Sequence, residues 1–337
     1  MQGYLKLKEK DEELYEVELS DLPSHKIVNK LICLYLQFIV KIKKWLHIIT
    51  VKEIYSGLIF ILPISHSEKN LTKQLKKCIL KTKKLLKKYQ ISQIVIAEEL
   101  KQNEGFMQAF QDERKVESKM KILDGKELMP YLLEEVIEYI SKKQGKTAQL
   151  EDLYLLIKQD NYQYQENILW LARNFKTINI VTPTLKVYQK LAKQLEEKQD
   201  IIITVTNNKK KSLKRANWII NFDLSPEEMK KYTINRTATI IYLTKEGVYE
   251  ENTFEGLHIC KAGIDVSQEI KDFFEKQNLL KQCPITVLYE STIQHKKTLK
   301  QVRQQMKKDQ VTIEKLYGRR GILEEKEYEK IKELKCS

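Results

Sequence analysis

The sequence predicts an α/β protein: a doubly wound parallel-sheet domain over residues 148–284, preceded by a smaller α/β domain over residues 1–122 and followed by a mostly helical extension over residues 285–337. Three observations predict it. A chain of 337 residues holds roughly two domains of 100–200 residues, each able to bury its own core. From Asp152 onward, short apolar runs alternate with amphipathic stretches of helical period, the pattern of strand–helix–strand units. The five cysteines (Cys33, Cys78, Cys260, Cys283 and Cys336) are scattered and odd in number, so burial and not a disulfide framework must hold the fold.

Taken in order, residues 3–19 alternate as Tyr4, Leu5, Lys6, Leu7 and then Leu14, Tyr15, Glu16, Val17, which suits a β-hairpin. A helix follows from about Ser24 to His47. Its most apolar run, Leu31 to Val40, is ended by Lys41, Lys43 and Lys44 and is too short to cross a bilayer. A core helix with a solvated lysine edge is the expectation; a helix lying on a membrane over residues 26–49 is the alternative. Leu58–Leu62 reads as a buried strand, and Ser65 with Glu68 has capping-box spacing before a helix carrying Leu71, Leu75, Cys78, Ile79, Leu85 and Leu86 on one face. Ile94–Ile96 completes a βαβ unit. Residues 101–121 read as a polar connector with a short helix at most. Residues 123–147 then form a bridging helix, Glu127 to Lys143, ending near Gly145.

The next segment reads as strand 153–157, helix 166–175, strand 178–181, helix 184–198, strand 201–205, helix 209–215, strand 218–221, a helix capped at Ser225-Pro226-Glu227-Glu228, and strand 239–243. In such a sheet the ligand crevice lies beyond the carboxyl ends of the strands. That geometry selects Lys158, Gln159, Asp160 and Asn161 after the first strand, Thr182 after the second, Asn207 and Asn208 after the third, and Phe222 and Asp223 after the fourth. A dinucleotide requires glycines in the first loop, so that backbone N–H groups can approach the pyrophosphate. No glycine occurs from Lys146 through Glu246, and Asp160 would set a negative charge beside a phosphate, so an intact NAD(P) site is not expected.

Ile178-Asn179-Ile180-Val181-Thr182-Pro183-Thr184, Ala216-Asn217-Trp218-Ile219-Ile220-Asn221, Gly256-Leu257-His258-Ile259 and Gly263-Ile264-Asp265-Val266 together resemble the Rossmann domain of the shikimate and amino-acid dehydrogenase type. The resemblance covers residues 123–280 and lacks the Gly-rich loop. Leu123-Asp124-Gly125 is similar to a segment of that family whose aspartate takes part in proton transfer, which makes Asp124 the catalytic candidate if activity is retained. From the residues alone, Asp124 reads as a helix N-cap with Glu127 three positions on.

The formal net charge is +14, but only seven of the 60 basic residues are arginine, the side chain suited to bidentate phosphate contacts. Lys209, Lys210 and Lys211 concentrate charge at a helix start and are the anion-binding candidates, against a plain solvated turn. The histidines are isolated and no zinc spacing occurs, so no metal is expected. At the C-terminus, residues 313–328 resemble a small helical hairpin with Leu316, Ile322, Tyr328 and Ile331 as its seam, docked on its own chain, on a partner protein or on a second copy. The functional expectation is a cytoplasmic, bacterial, non-catalytic binding or regulatory protein on a degenerate Rossmann-like frame. The alternatives are a divergent NAD(P)-dependent oxidoreductase and a nucleic-acid-associated protein using the Lys69–Lys88 face and Lys209–Lys211.

Overall fold

Strand β1 (Gln2–Leu7) is not the arm of a hairpin: it lies between β3 (Gly57–Leu62) and β4 (Gln93–Ile96), parallel to both. The computed structural model describes residues 2–8, 14, 26–54, 57–64, 71–112, 120–145, 151–173, 175, 177–197, 201–243, 249, 254–293 and 298–336. Of the expected second hairpin arm only Leu14 falls among these, and the Ser65/Glu68 capping box lies outside them. The chain divides into two compact units, residues 1–124 with 268–294, and residues 125–267 with 295–337.

In the first unit, α1 (Lys26–Leu46) leads into β2 (Thr50–Ile54), a strand absent from the sequence reading, which pairs antiparallel with β3. Its buried residue, Thr50, is followed by half-buried and exposed positions, so it offers no apolar run to detect. After α2 (Leu71–Lys88) and β4 come α3 (Glu98–Gln102), α4 (Glu104–Asp112) and β5 (Lys121–Ile122), giving the sheet order β2-β3-β1-β4-β5. The connector is therefore more helical than expected: Phe106 and Phe110 of α4 are buried one turn apart, their rings stacked 5.6 Å apart, and that burial orders the segment.

The second unit opens with a 3₁₀ turn (Lys126–Tyr131) preceded by Gly125, which lies in the left-handed region at φ 88°. Helix α5 (Leu133–Gln144) ends where expected, at Gly145 with φ 61°. The alternating region then gives β6 (Leu153–Leu156), α6 (Tyr162–Leu171), β7 (Thr177–Val181), α7 (Leu185–Glu196), β8 (Ile202–Thr206), α8 (Lys209–Arg215), β9 (Trp218–Asn221), α9 (Pro226–Met229), β10 (Thr239–Tyr242) and β11 (Leu257–Ile259). The six strands are all parallel, in the order β11-β10-β9-β6-β7-β8. Numbered from β6, this is 3-2-1-4-5-6 read from the β8 edge, the doubly wound order of dinucleotide-binding domains. The frame is thus Rossmann-like.

Strand β12 (Lys261–Asp265) leaves that sheet. Helices α10 (Gln268–Lys276) and α11 (Ile285–Thr292) follow, and Phe274, Leu279, Val287 and Leu288 bury into the core of the first unit, not into the Rossmann-like sheet. The run Ile285–Tyr289, expected as a strand, is the first half of α11. Finally α12 (Leu299–Lys308) precedes β13 (Thr312–Gly318), β14 (Gly321–Ile322) and α13 (Glu325–Cys336). The expected helical hairpin is a β-hairpin followed by a helix: β13 pairs antiparallel with both β12 and β14. Of the expected seam, Leu316, Tyr328 and Ile331 are buried, while Ile322 is exposed. The Lys143–Glu325 ion pair at 2.6 Å and the Tyr139–Tyr328 ring contact at 6.4 Å fasten α13 to α5.

Candidate functional site

In the order 3-2-1-4-5-6 the direction of winding reverses between β6 and β9, so the loops after these two strands flank the crevice. Two consecutive amides of the loop after β6 meet one carboxylate. Lys158 N–H donates to Asp223 Oδ1 at 2.6 Å, and Gln159 N–H donates to Oδ2 of the same carboxylate at 2.9 Å. Asp223 stands just beyond β9. Where a dinucleotide-binding loop offers backbone N–H groups to a pyrophosphate, this chain supplies its own anion. Burial pushes the Asp223 carboxyl above its ordinary value, opposed by the two amides and by the Lys158 ammonium. Lys158 Nζ in turn pairs with Glu228 at 2.7 Å, and Glu228 belongs to the capping box that Ser225 opens before α9.

Beside this clasp is a cavity of about 560 Å³, a size suited to a small ligand. Asn161 lies on its wall and also caps α6, its side-chain oxygen accepting from Gln163 N–H at 2.9 Å. Tyr164 and Phe222 form an aromatic corner with ring centroids 4.8 Å apart. Tyr131, from the 3₁₀ turn, also lines the cavity, as do Glu127 and Glu166; burial first, then those two carboxylates, raise its hydroxyl pKa. Burial and then Asp223 do the same for Tyr164. The walls therefore combine aromatic faces, side-chain amides and carboxylates, with Lys126 as the cation among the lining side chains.

The expected crevice residues divide accordingly. Gln159 and Asp223 meet in the clasp, and Asn161 and Phe222 meet in the cavity. Asp160 is exposed and accepts from Gln165 Nε2 at 2.8 Å. Thr182 is fully buried in a local turn, its hydroxyl 2.8 Å from that of Thr184. Asn207 and Asn208 follow the edge strand β8, two strand spacings (about 10 Å) from β6. There Asn208 caps the seven-residue α8 through Lys211 N–H, while Lys209 lies over the Tyr232 ring at 5.9 Å. Lys210 and Lys211 are exposed. Asp124 is exposed after β5 and is not among the residues lining this cavity. Tyr131 and Thr298 are not among the expected crevice residues, because the 3₁₀ turn and the start of α12 reach the crevice only through the tertiary fold; Tyr164 and Glu166 lie in the first turns of α6, which starts at Tyr162 and not at Glu166 as expected.

A second cavity, of about 520 Å³, borders β11 and the β13–β14 turn. His258 lies on it, with Nδ1 3.0 Å from the Tyr242 hydroxyl. Tyr249 N–H donates to that hydroxyl at 3.3 Å, so the Tyr242 oxygen joins His258 to the Tyr249 backbone. Burial, then Arg319, lower the His258 pKa to about 4, so the ring is neutral at pH 7. Among the described residues no group of three or more His, Cys, Asp or Glu side chains could hold a metal ion, and no helix is long and apolar enough to cross a membrane.

No protein-family model matches the chain, and no curated protein matches it. Among solved structures, L-tryptophan dehydrogenase from Nostoc punctiforme aligns at 8% identity and a TM-score of 0.30, covering 98% of this chain and 87% of that one. Aspartate transcarbamoylase from Trypanosoma cruzi, in complex with aspartate and phosphate, aligns at 13% identity and a TM-score of 0.27 over 57% of this chain; the chain spans 64% of that enzyme's length. At such scores the Rossmann-like assignment rests on the strand order, and these two enzymes lend no argument about activity.

Proposed function

We propose that the second unit binds a small neutral or cationic ligand in the 560 Å³ cavity and acts as a binding or regulatory module, not as a dinucleotide-dependent oxidoreductase. The observation that carries this reading is the Asp223 clasp on the Lys158 and Gln159 amides. A pyrophosphate placed there would meet a carboxylate and would lose the two N–H donors it needs, and the missing glycines keep the backbone from offering others. Glu127 and Glu166 on the cavity wall favour an amine or a hydrogen-bonding neutral group, and Tyr164 with Phe222 offers an aromatic face on which a flat or cationic group can lie.

Calorimetric titration of the full chain with NAD(H) and NADP(H), combined with hydride-transfer assays on hydroxy and amino acids, tests it. No micromolar binding and no turnover are expected; micromolar binding with turnover would overturn the proposal. Native mass spectrometry of the purified chain identifies the ligand class directly, with a retained amine or neutral aromatic expected and a retained nucleotide contrary to it.

A further inference from the structure

Helix α1 buries one face and leaves the other bare. Leu36, Val40 and Lys43 point inward, and the buried Lys43 ammonium is satisfied by Leu14 O at 2.9 Å and Thr50 Oγ1 at 3.3 Å. On the opposite face Leu34 (55%), Tyr35 (64%), Phe38 (60%) and Trp45 (78%) are exposed, with Ile42 between them. These positions recur at helical spacing and form one stripe. A lone exposed leucine is ordinary; a continuous stripe ending in a tryptophan marks an interaction surface.

The charge beside the stripe identifies what the surface fits. Neither α1 nor the neighbouring α2 contains an aspartate or glutamate, and α2 carries eight lysines. Lys81 Nζ donates to Leu46 O, and Lys41, Lys44 and Lys77 surround a recess that includes Trp45, so the lysines border the apolar stripe directly. We propose that this face of the first unit docks on an anionic lipid bilayer, with the stripe set among the acyl chains and headgroups and the lysines over acidic headgroups. The helix lies in the interface; it is not long and apolar enough to cross. A second copy of the chain fits less well, because a two-fold contact would bring the same acid-free, lysine-rich patches together. Nucleic acid would engage the lysines but leave the aromatic stripe in water. The sequence-level preference for α1 as a core helix with a lysine edge is thus half right: the core face is there, and the apolar set is larger than one face can bury.

Sedimentation of the full chain with vesicles tests the proposal. Binding to phosphatidylcholine–phosphatidylglycerol vesicles should exceed binding to pure phosphatidylcholine by about tenfold or more at low salt and fall as salt rises. Trp45 emission should shift to the blue on those vesicles, and Trp45→Phe should lose that shift. The double variant Phe38→Ser/Trp45→Ser, altered only at exposed positions, should keep its circular dichroism and lose vesicle binding; Lys77→Glu/Lys81→Glu should weaken binding to the anionic vesicles alone. Absence of binding to anionic vesicles would overturn the proposal, as would undiminished binding by the serine variant. So would a dimer that the serine variant dissociates, or retention on duplex DNA in place of vesicles.

Discussion

In the proposed function, one side chain, Asp223, sets what the crevice can hold. Its two oxygens accept from consecutive amides, so Asp223→Asn keeps one acceptor and turns an NH₂ group toward the other N–H. The expected cost is about 1–2 kcal/mol in a denaturant titration. Asp223→Ala leaves both amides open, and inorganic phosphate should then raise the melting temperature of the variant and not that of the unaltered chain; equal protection of both would mean that the clasp does not fill an anion site. The position of Asp223 was legible in the sequence as a strand-end residue, but its partners were not, since the pairing spans 65 residues and depends on β9 lying next to β6. His258 gives a pH signature. With a folded value of about 4 against an ordinary 6.5, the unfolded chain binds a proton that the folded chain does not, so stability is full above about pH 6.5 and falls as the pH drops toward 4. The slope attributable to His258 is roughly 1.4 kcal/mol per pH unit within that window. His258→Asn, whose Oδ1 can accept from Tyr242, should flatten that part of the profile in urea titrations run between pH 7 and pH 4.5.

Elements were legible where their local signals agreed. Helix α8 spans Lys209–Arg215 as expected, and the Ser225–Glu228 capping box forms with both of its hydrogen bonds. Helix α11 was misread because Thr286 through Ser291 are all buried, so the segment has no polar face and no period, and its β-branched residues suggest a strand. The C-terminal β-hairpin was missed for the converse reason: β13 shows only one buried side chain, Leu316, and its pairing with β12 joins segments about fifty residues apart. Close approach also governs the edge of the parallel sheet. A Cβ on Gly256 would lie 1.9 Å from Ala238 O, the acceptor of the Leu257 N–H that starts the β10–β11 pairing. Gly256→Ala should therefore push β11 off β10 and cost about 3 kcal/mol, read as a lower urea midpoint with loss of amide-exchange protection in 257–259 and little change in β6 and β7.

At the scale of the molecule, residues 1–124 do not contain all of their own core. The chain leaves the first unit after Asp124, builds the Rossmann-like unit, and returns with α10 and α11 before leaving again. What it brings back is not peripheral. Phe274, Leu279, Val287 and Leu288 lie in the same apolar cluster as Tyr4, Phe60 and Ile94, the Tyr4 hydroxyl is 2.8 Å from Ser291 Oγ, and the Gln282 side chain bonds both the N–H and the C=O of Leu7 as a strand would. The ammonium of the buried Lys6 donates to Asn278 O at 3.3 Å. A fragment ending at residue 124 would expose that apolar surface and leave the Leu7 backbone and Lys6 without these partners, each buried group costing about 1–3 kcal/mol against a total stability of about 5–15 kcal/mol. Residues 1–124 expressed alone should show no cooperative thermal transition and should bind a hydrophobic dye. A chain in which residues 268–294 are rejoined to residue 124 through a glycine–serine linker should regain a cooperative transition, and a cooperative fold of residues 1–124 without them would show that α10 and α11 are dispensable to the unit.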